Sequence, residues 1–240
     1  MILDPTVILL LPVIAFAAWA QHRVKSTYAR FSEVTTQSGL TGADVAQAIL
    51  RDERIELTDT AEAAGGVGGA TTCALEVTPG HLSDHYDPRT RTLRLSEAVY
   101  GGQSVADLGI AAHEVGHAIQ HARLYSPLMM RNIVYPACNV GTVLAWPLLL
   151  IGFFMAIPPL MKLGVILFTL SVFFTVLTLP VEFNASSRAL RALAGGGYLN
   201  AEELKGAREV LGAAALTYVA ATAMAVVQLL RMVILANSRH

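Results

Sequence analysis

Between Cys138 and Phe183 the chain carries only two charged residues, Lys162 and Glu182. That length is enough for two membrane-spanning helices of about 20 residues each, joined at Ile157-Pro158-Pro159-Leu160-Met161-Lys162. Two further apolar runs accompany them. One covers residues 8–20, extended at its start by Met1-Ile2-Leu3 and interrupted only by Asp4; the other covers residues 212–235 and contains Gln228 and Arg231. Arg231 lies close enough to the end of its run for a long side chain to snorkel to the interface. With 54% hydrophobic and 15% charged residues, such a chain cannot cover itself with polar surface, so a lipid bilayer is an expected partner. A net charge of −1 argues against a nucleic-acid binder.

Ala18-Trp19-Ala20 has the look of a signal-peptide cleavage site. No Lys or Arg precedes the run, however, while Arg23, Lys25 and Arg30 follow it. That order reads as a retained anchor. Lys and Arg number ten between residues 21 and 139 and four between 181 and 210, which leaves only Lys162, Arg231 and Arg239 elsewhere. By the positive-inside rule both polar stretches face the cytoplasm and both termini lie outside. The two cysteines, Cys73 and Cys138, are too few for a disulfide framework.

In the first polar stretch, Thr41 with Asp44 and Ser104 with Asp107 each have the spacing of a capping box. The first opens a helix carrying Val45, Ala48, Ile49 and Ile55. The second opens one through Ala111, His113, His117 and Ile119 to about Arg123. Residues 73–78 and 91–96 alternate like strands, and the turn formers between them suggest that these two pair as a small hairpin. The glycine-rich stretch at 65–69 reads as a linker, since it lacks the Lys-Ser/Thr ending of a phosphate loop.

The second helix carries His113-Glu114-Val115-Gly116-His117. Residues four apart share a helix face, so both imidazoles can reach one Zn2+ ion. Glu114 is turned away from the metal but can take the proton of a water activated there. A catalytic zinc needs a third protein ligand and an open position. His121 lies a turn beyond His117 and reads as a polar helix end; His81 and His85 read as turn histidines, and Cys138 as a packed apolar residue. Glu182 is the choice on topological grounds. The apolar hairpin leaves the cytoplasm soon after the catalytic helix and returns just before Glu182. Glu182 also begins an expected helix over 181–194, whose Ala185, Ser186 and Ala189 permit close packing against Gly116.

With Leu179-Pro180-Val181-Glu182-Phe183-Asn184-Ala185-Ser186 following the hairpin, the pattern resembles the gluzincin-type membrane peptidases related to HtpX and the CaaX prenyl proteases. It is still more similar to the YugP-like neutral zinc metallopeptidase family, whose pattern Leu82-Ser83-Asp84-His85-Tyr86-Asp87-Pro88-Arg89-Thr90 and Leu93-Arg94-Leu95-Ser96 also resemble. Ser186 stands where HtpX-like enzymes carry an Asp, so support of a zinc-binding His from that position is weaker here. The resemblance implies that residues 92–96 bind substrate by edge pairing. It also calls for an oxyanion stabiliser, for which Arg188, His85 and Tyr86 are candidates.

The resulting expectation is a mainly α integral membrane protein. Four transmembrane helices accompany a cytoplasmic zincin-like α+β region that contains a small β-hairpin. The divisions fall at an anchor over 1–21, a cytoplasmic region over 22–137 and a transmembrane hairpin over 138–180. A cytoplasmic helix with the third ligand over 181–210 and a last span over 211–236 complete the chain. The activity expected is zinc-dependent hydrolysis of a peptide or membrane-protein substrate at the cytoplasmic face of a bacterial inner membrane. The sequence assigns no oligomeric state. A non-catalytic membrane scaffold or chaperone with a four-ligand structural zinc is the rival reading, and a fourth ligand such as His81 or His85 would favour it.

Overall fold

The structure, a computed structural model, describes residues 5–58, 71–80 and 83–237. The glycine-rich stretch at 65–69 and His81 lie outside the described residues. After a 3-10 turn at Pro5–Leu9, the elements begin with α1 (Leu10–Ser32), α2 (Gly42–Asp52), β1 (Glu56–Thr58) and β2 (Thr72–Thr78). They continue with β3 (His85–Asp87), β4 (Thr92–Ser96), α3 (Glu97–Gly101) and α4 (Val105–Ala122). Three long helices follow: α5 (Ser126–Phe154), α6 (Pro158–Gly195) and α7 (Ala201–Asn237). Two compact units emerge. One takes in the described residues up to His22, Met129–Pro180 and those from Leu216 onward; the other takes in the described part of Arg23–Leu128 and Val181–Ala215.

The first unit is built from four helices, each long and apolar enough to cross a membrane. Ile133, Val143, Phe154 and Ile166 are all more than half exposed, an arrangement suited to lipid. Inside, Ala145, Leu149, Met161, Phe168, Met232 and Ala236 form a small core. The turn between α5 and α6 passes through Ala156 at a φ of 54°. Pro158 then opens α6 at a position where its missing N–H costs nothing. A Cβ at Gly164 would lie 2.7 Å from the Ala145 carbonyl oxygen, so the hairpin depends on a bare backbone there. Arg231 does not snorkel outward. It is buried, and it donates to Thr6 Oγ1 at 3.2 Å and Gln228 Oε1 at 3.0 Å. At 38 residues, α6 is about 57 Å long at 1.5 Å per residue, against a hydrocarbon thickness of about 30 Å. The separate helix expected over 181–194 is thus the continuation of the third span. Pro180 lies inside α6 rather than between two helices.

In the second unit both capping boxes form. Thr41 Oγ1 accepts from Asp44 N at 3.1 Å while Asp44 Oδ2 accepts from Thr41 N at 2.9 Å. The Ser104–Asp107 pair repeats the geometry at 3.2 and 3.1 Å. Helix α2 stops before Ile55, because Arg54 at a φ of 58° turns the chain back and lets Ile55 N donate to Leu50 O at 2.8 Å. Strand pairing departs from expectation. β2 and β4 run parallel, and the hairpin is made by β3 and β4, in the order β1-β2-β4-β3. After β2 the chain passes β4 to reach the sheet's outer edge, then turns back through Arg91 at a φ of 51°. β4 is therefore paired on both sides, and among the described residues the edge strands of the sheet are β1 and β3. The edge-pairing role expected of residues 92–96 cannot be theirs. Leu93 and Leu95 of β4 pack with Ile49 and Leu50 of α2, Leu108, Val115 and Ile119 of α4, and Ala189 and Leu193 of α6. Each buried large aliphatic side chain contributes roughly 1.5–3 kcal/mol, so this one core fixes α4 against both the sheet and α6.

Candidate metal centre

Gly116 sets how closely α4 and α6 approach. A Cβ there would lie 2.5 Å from the Ala185 carbonyl oxygen, and Ala185 and Ala189 are fully buried. With the backbones this near, His113 and His117 on α4 face Glu182 on α6. Nε2 of His113 lies 3.3 Å from Glu182 Oε2, and Nε2 of His117 lies 3.5 Å from the same oxygen. One donor atom from each of the three residues falls within 4.8 Å of the others. His117 and Glu182 are buried and His113 nearly so.

This donor set fits zinc. Two ligands about 2.0–2.1 Å from a tetrahedral ion are roughly 3.3–3.4 Å apart, close to both observed separations. A charge-assisted N–H···O bond would instead be about 2.7–2.9 Å. Two imidazoles and one carboxylate also make a borderline-soft set with one carboxylate charge. Among the described residues no fourth His, Cys, Asp or Glu joins the cluster. Three protein donors would leave a tetrahedral ion one open position.

The outer nitrogens of both rings are engaged. His113 Nδ1 is 3.1 Å from Ser186 Oγ, and His117 Nδ1 is 3.0 Å from Gln120 Oε1. The Gln120 amide nitrogen donates to Val181 O at 2.7 Å and to Asn184 Oδ1 at 3.0 Å. Burial alone would lower the His117 pKa, but the carboxylates of Glu182 and Glu114 outweigh it and raise the value. The ring therefore sits in a field that favours positive charge.

Glu114 points elsewhere. Its Oε2 accepts the backbone N–H of Tyr86 at 3.1 Å, which places the carboxylate at the free edge of β3. That N–H is directed away from β4, so Tyr86 presents its backbone along the side of the strand nearest Glu114. The phenol of Tyr86 bonds His121 Nδ1 at 2.8 Å. Burial raises the phenol's pKa and, with Arg91, lowers that of His121. Tyr86 thus keeps its proton beside a ring that burial holds toward its neutral form.

The remaining sequence candidates are dispersed. His85 is exposed, with Nδ1 2.7 Å from Ser83 O. Arg188 donates Nε to Asn184 Oδ1 at 2.7 Å and stacks 5.8 Å over the Tyr125 ring. Cys73 and Cys138 are free thiols, and burial pushes the Cys73 thiol up to about 12, far from a thiolate ligand. Gln120, Asn184 and the Tyr86 backbone N–H went unnoticed in the sequence. Gln120 could have been found, since it lies three residues after His117 on the same helix face.

Over residues 6–237 the chain matches the model of a family described as "Putative neutral zinc metallopeptidase". It is 40% identical over 229 residues, covering 95% of both chains, to "Putative membrane protease YugP" of Bacillus subtilis (strain 168). No solved structure matches it.

Proposed function

The chain belongs to the neutral zinc metallopeptidase family, and from that premise we propose that it is a membrane-bound, zinc-dependent endopeptidase. His113, His117 and Glu182 are the zinc ligands, and Glu114 is the general base. The observation that carries this reading is the convergence of three donor atoms within 4.8 Å, with Glu114 held outside that cluster on the β3 edge. Zinc, when bound, supplies Lewis acidity toward a carbonyl and toward water. The chain's residues do the rest. An extended peptide aligned with β3 by backbone pairing is recognised through its main chain more than its side chains. Glu114, held by the Tyr86 N–H, takes a proton from the attacking water and returns it to the leaving amine.

The charge distribution supports an active site on the cytoplasmic face of a bacterial inner membrane. Fourteen Lys and Arg lie in the two polar stretches and three elsewhere. Substrates at that face include unfolded or membrane-embedded proteins, which fits a role in membrane-protein quality control. Against a structural zinc speaks the cluster of three donors among the described residues, which His85 does not join, because structural sites are closed by four protein ligands. Glu114→Gln separates the two readings. It should retain zinc and lose cleavage of an unfolded protein. Cleavage at the wild-type rate would refute the mechanism.

A further inference from the structure

We infer that Gln120 is a positioning residue for the metal centre, and that it sets the tautomer of His117 through a directional hydrogen-bond chain. The inference rests on the zinc reading above and goes beyond it. Gln120 is fully buried on α4 and is not one of the three donors. Its amide has two unlike ends, and the surroundings dictate which faces which. Val181 O is a backbone carbonyl and can only accept, so the atom 2.7 Å from it must be the amide nitrogen. Arg188 Nε can only donate, so the Asn184 atom 2.7 Å from it must be Oδ1. That oxygen also receives the second Gln120 N–H at 3.0 Å.

With its nitrogen committed twice, Gln120 can offer His117 only its oxygen. Oε1 lies 3.0 Å from Nδ1, and the ring must place its hydrogen there. The Nε2 lone pair is then left facing Glu182, as metal ligation by a neutral imidazole requires. The chain also joins two helices. Val181 directly precedes Glu182, so one side chain ties a donor on α4 to the backbone beside the donor on α6. Both histidines are backed by neutral groups, Ser186 and Gln120. Glu182 is accordingly the one carboxylate among the donors and their direct Nδ1 partners. Less electron density is pushed onto the imidazoles than a carboxylate partner would push.

The test measures zinc affinity of the full-length protein in detergent, by competition with a chelating dye, with cobalt(II) absorption reporting donor geometry. Wild type and His117→Ala set the baseline: if wild type binds no zinc, or His117→Ala binds it equally well, the zinc reading itself has failed. Given a sound baseline, Gln120→Met, which fills the space but cannot accept a hydrogen bond, should weaken zinc roughly 10–100-fold and alter the cobalt spectrum. Gln120→Glu restores an acceptor for Nδ1 and should bind zinc more tightly than Gln120→Met. Mere space-filling in a buried site predicts the opposite order, because the carboxylate would be the worse filler. Gln120→Met with wild-type affinity, or binding more tightly than Gln120→Glu, would overturn the inference. If Gln120 variants do not fold, Asn184→Ala decides: weakened zinc binding supports the chain, and unchanged binding overturns it.

Discussion

A Cβ on Gly116 would lie 2.5 Å from the carbonyl oxygen of Ala185, so α4 and α6 touch through bare backbone one residue before His117 and three after Glu182. Gly116→Ala must push the two helices apart. Alanine's intrinsic helical advantage of about 1 kcal/mol competes with an overpacking cost of roughly 1–3 kcal/mol. The obstructing atom is main chain and cannot swing aside, so the cost prevails. We expect a lower thermal midpoint and weaker zinc binding in the same variant. An unchanged zinc titration would show that this crossing does not set the donor spacing.

Tyr86 offers a test that reaches Glu114 without touching it. The Tyr86 N–H points away from β4 toward Glu114 Oε2, 3.1 Å away, so a proline there removes no bond of the β3–β4 ladder. Tyr86→Pro, compared with Tyr86→Ala to cancel loss of the phenol, should lose about 1.5–3 kcal/mol of hydrogen bonding to a charged group. In turnover that is roughly a 10–100-fold fall, with zinc content retained. Equal turnover in the two variants would mean that Glu114 does not need the strand.

The Thr41–Asp44 capping box carries a pH dependence. Hydrogen bonds from Thr41 hold the Asp44 carboxyl below its usual value. A carboxyl depressed in the folded state stabilises above its unfolded pKa of about 3.9, and that contribution fades as the pH falls through the folded value. Asp44→Asn should therefore flatten part of the acid limb of stability, below about pH 4. Thr41→Ala should cost about 1 kcal/mol at neutral pH. Chemical denaturation across pH reads both effects, and an acid limb identical to wild type would remove Asp44 from it.

Orientation follows from charge. A periplasmic-reporter fusion after Asn237 should be active, and one after Arg123 inactive, if both polar stretches are cytoplasmic. The reverse pattern would place the donor cluster on the other face.

What could be read in advance, and what could not, follows the range of the interactions. Both capping boxes are local, with a side chain and backbone three residues apart, and both were legible. The approach of Glu182 to His113 and His117 was legible as well, because a two-span hairpin and a run of small residues restrict where the chain can return. The direction of β2 was not. Residues 72–78 alternate the same way whether they pair parallel or antiparallel, and the pairing partner is set by tertiary contacts that the alternation does not carry. The continuity of α6 through Pro180 was hidden too, since a proline usually ends a helix. Gln120 is legible only as a polar residue on the helix face of His117; its partner, the Val181 carbonyl, is a backbone group that no residue type marks.

The central claim is that His113, His117 and Glu182 form one zinc site. Metal content of the purified full-length protein, measured beside Glu182→Ala and His113→Ala prepared identically, tests it most directly. About one zinc per chain is expected in the wild type, held in the tetrahedral manner of a three-ligand site, with a large loss of zinc in both variants. Full zinc content in Glu182→Ala, or none in the wild type, would contradict it.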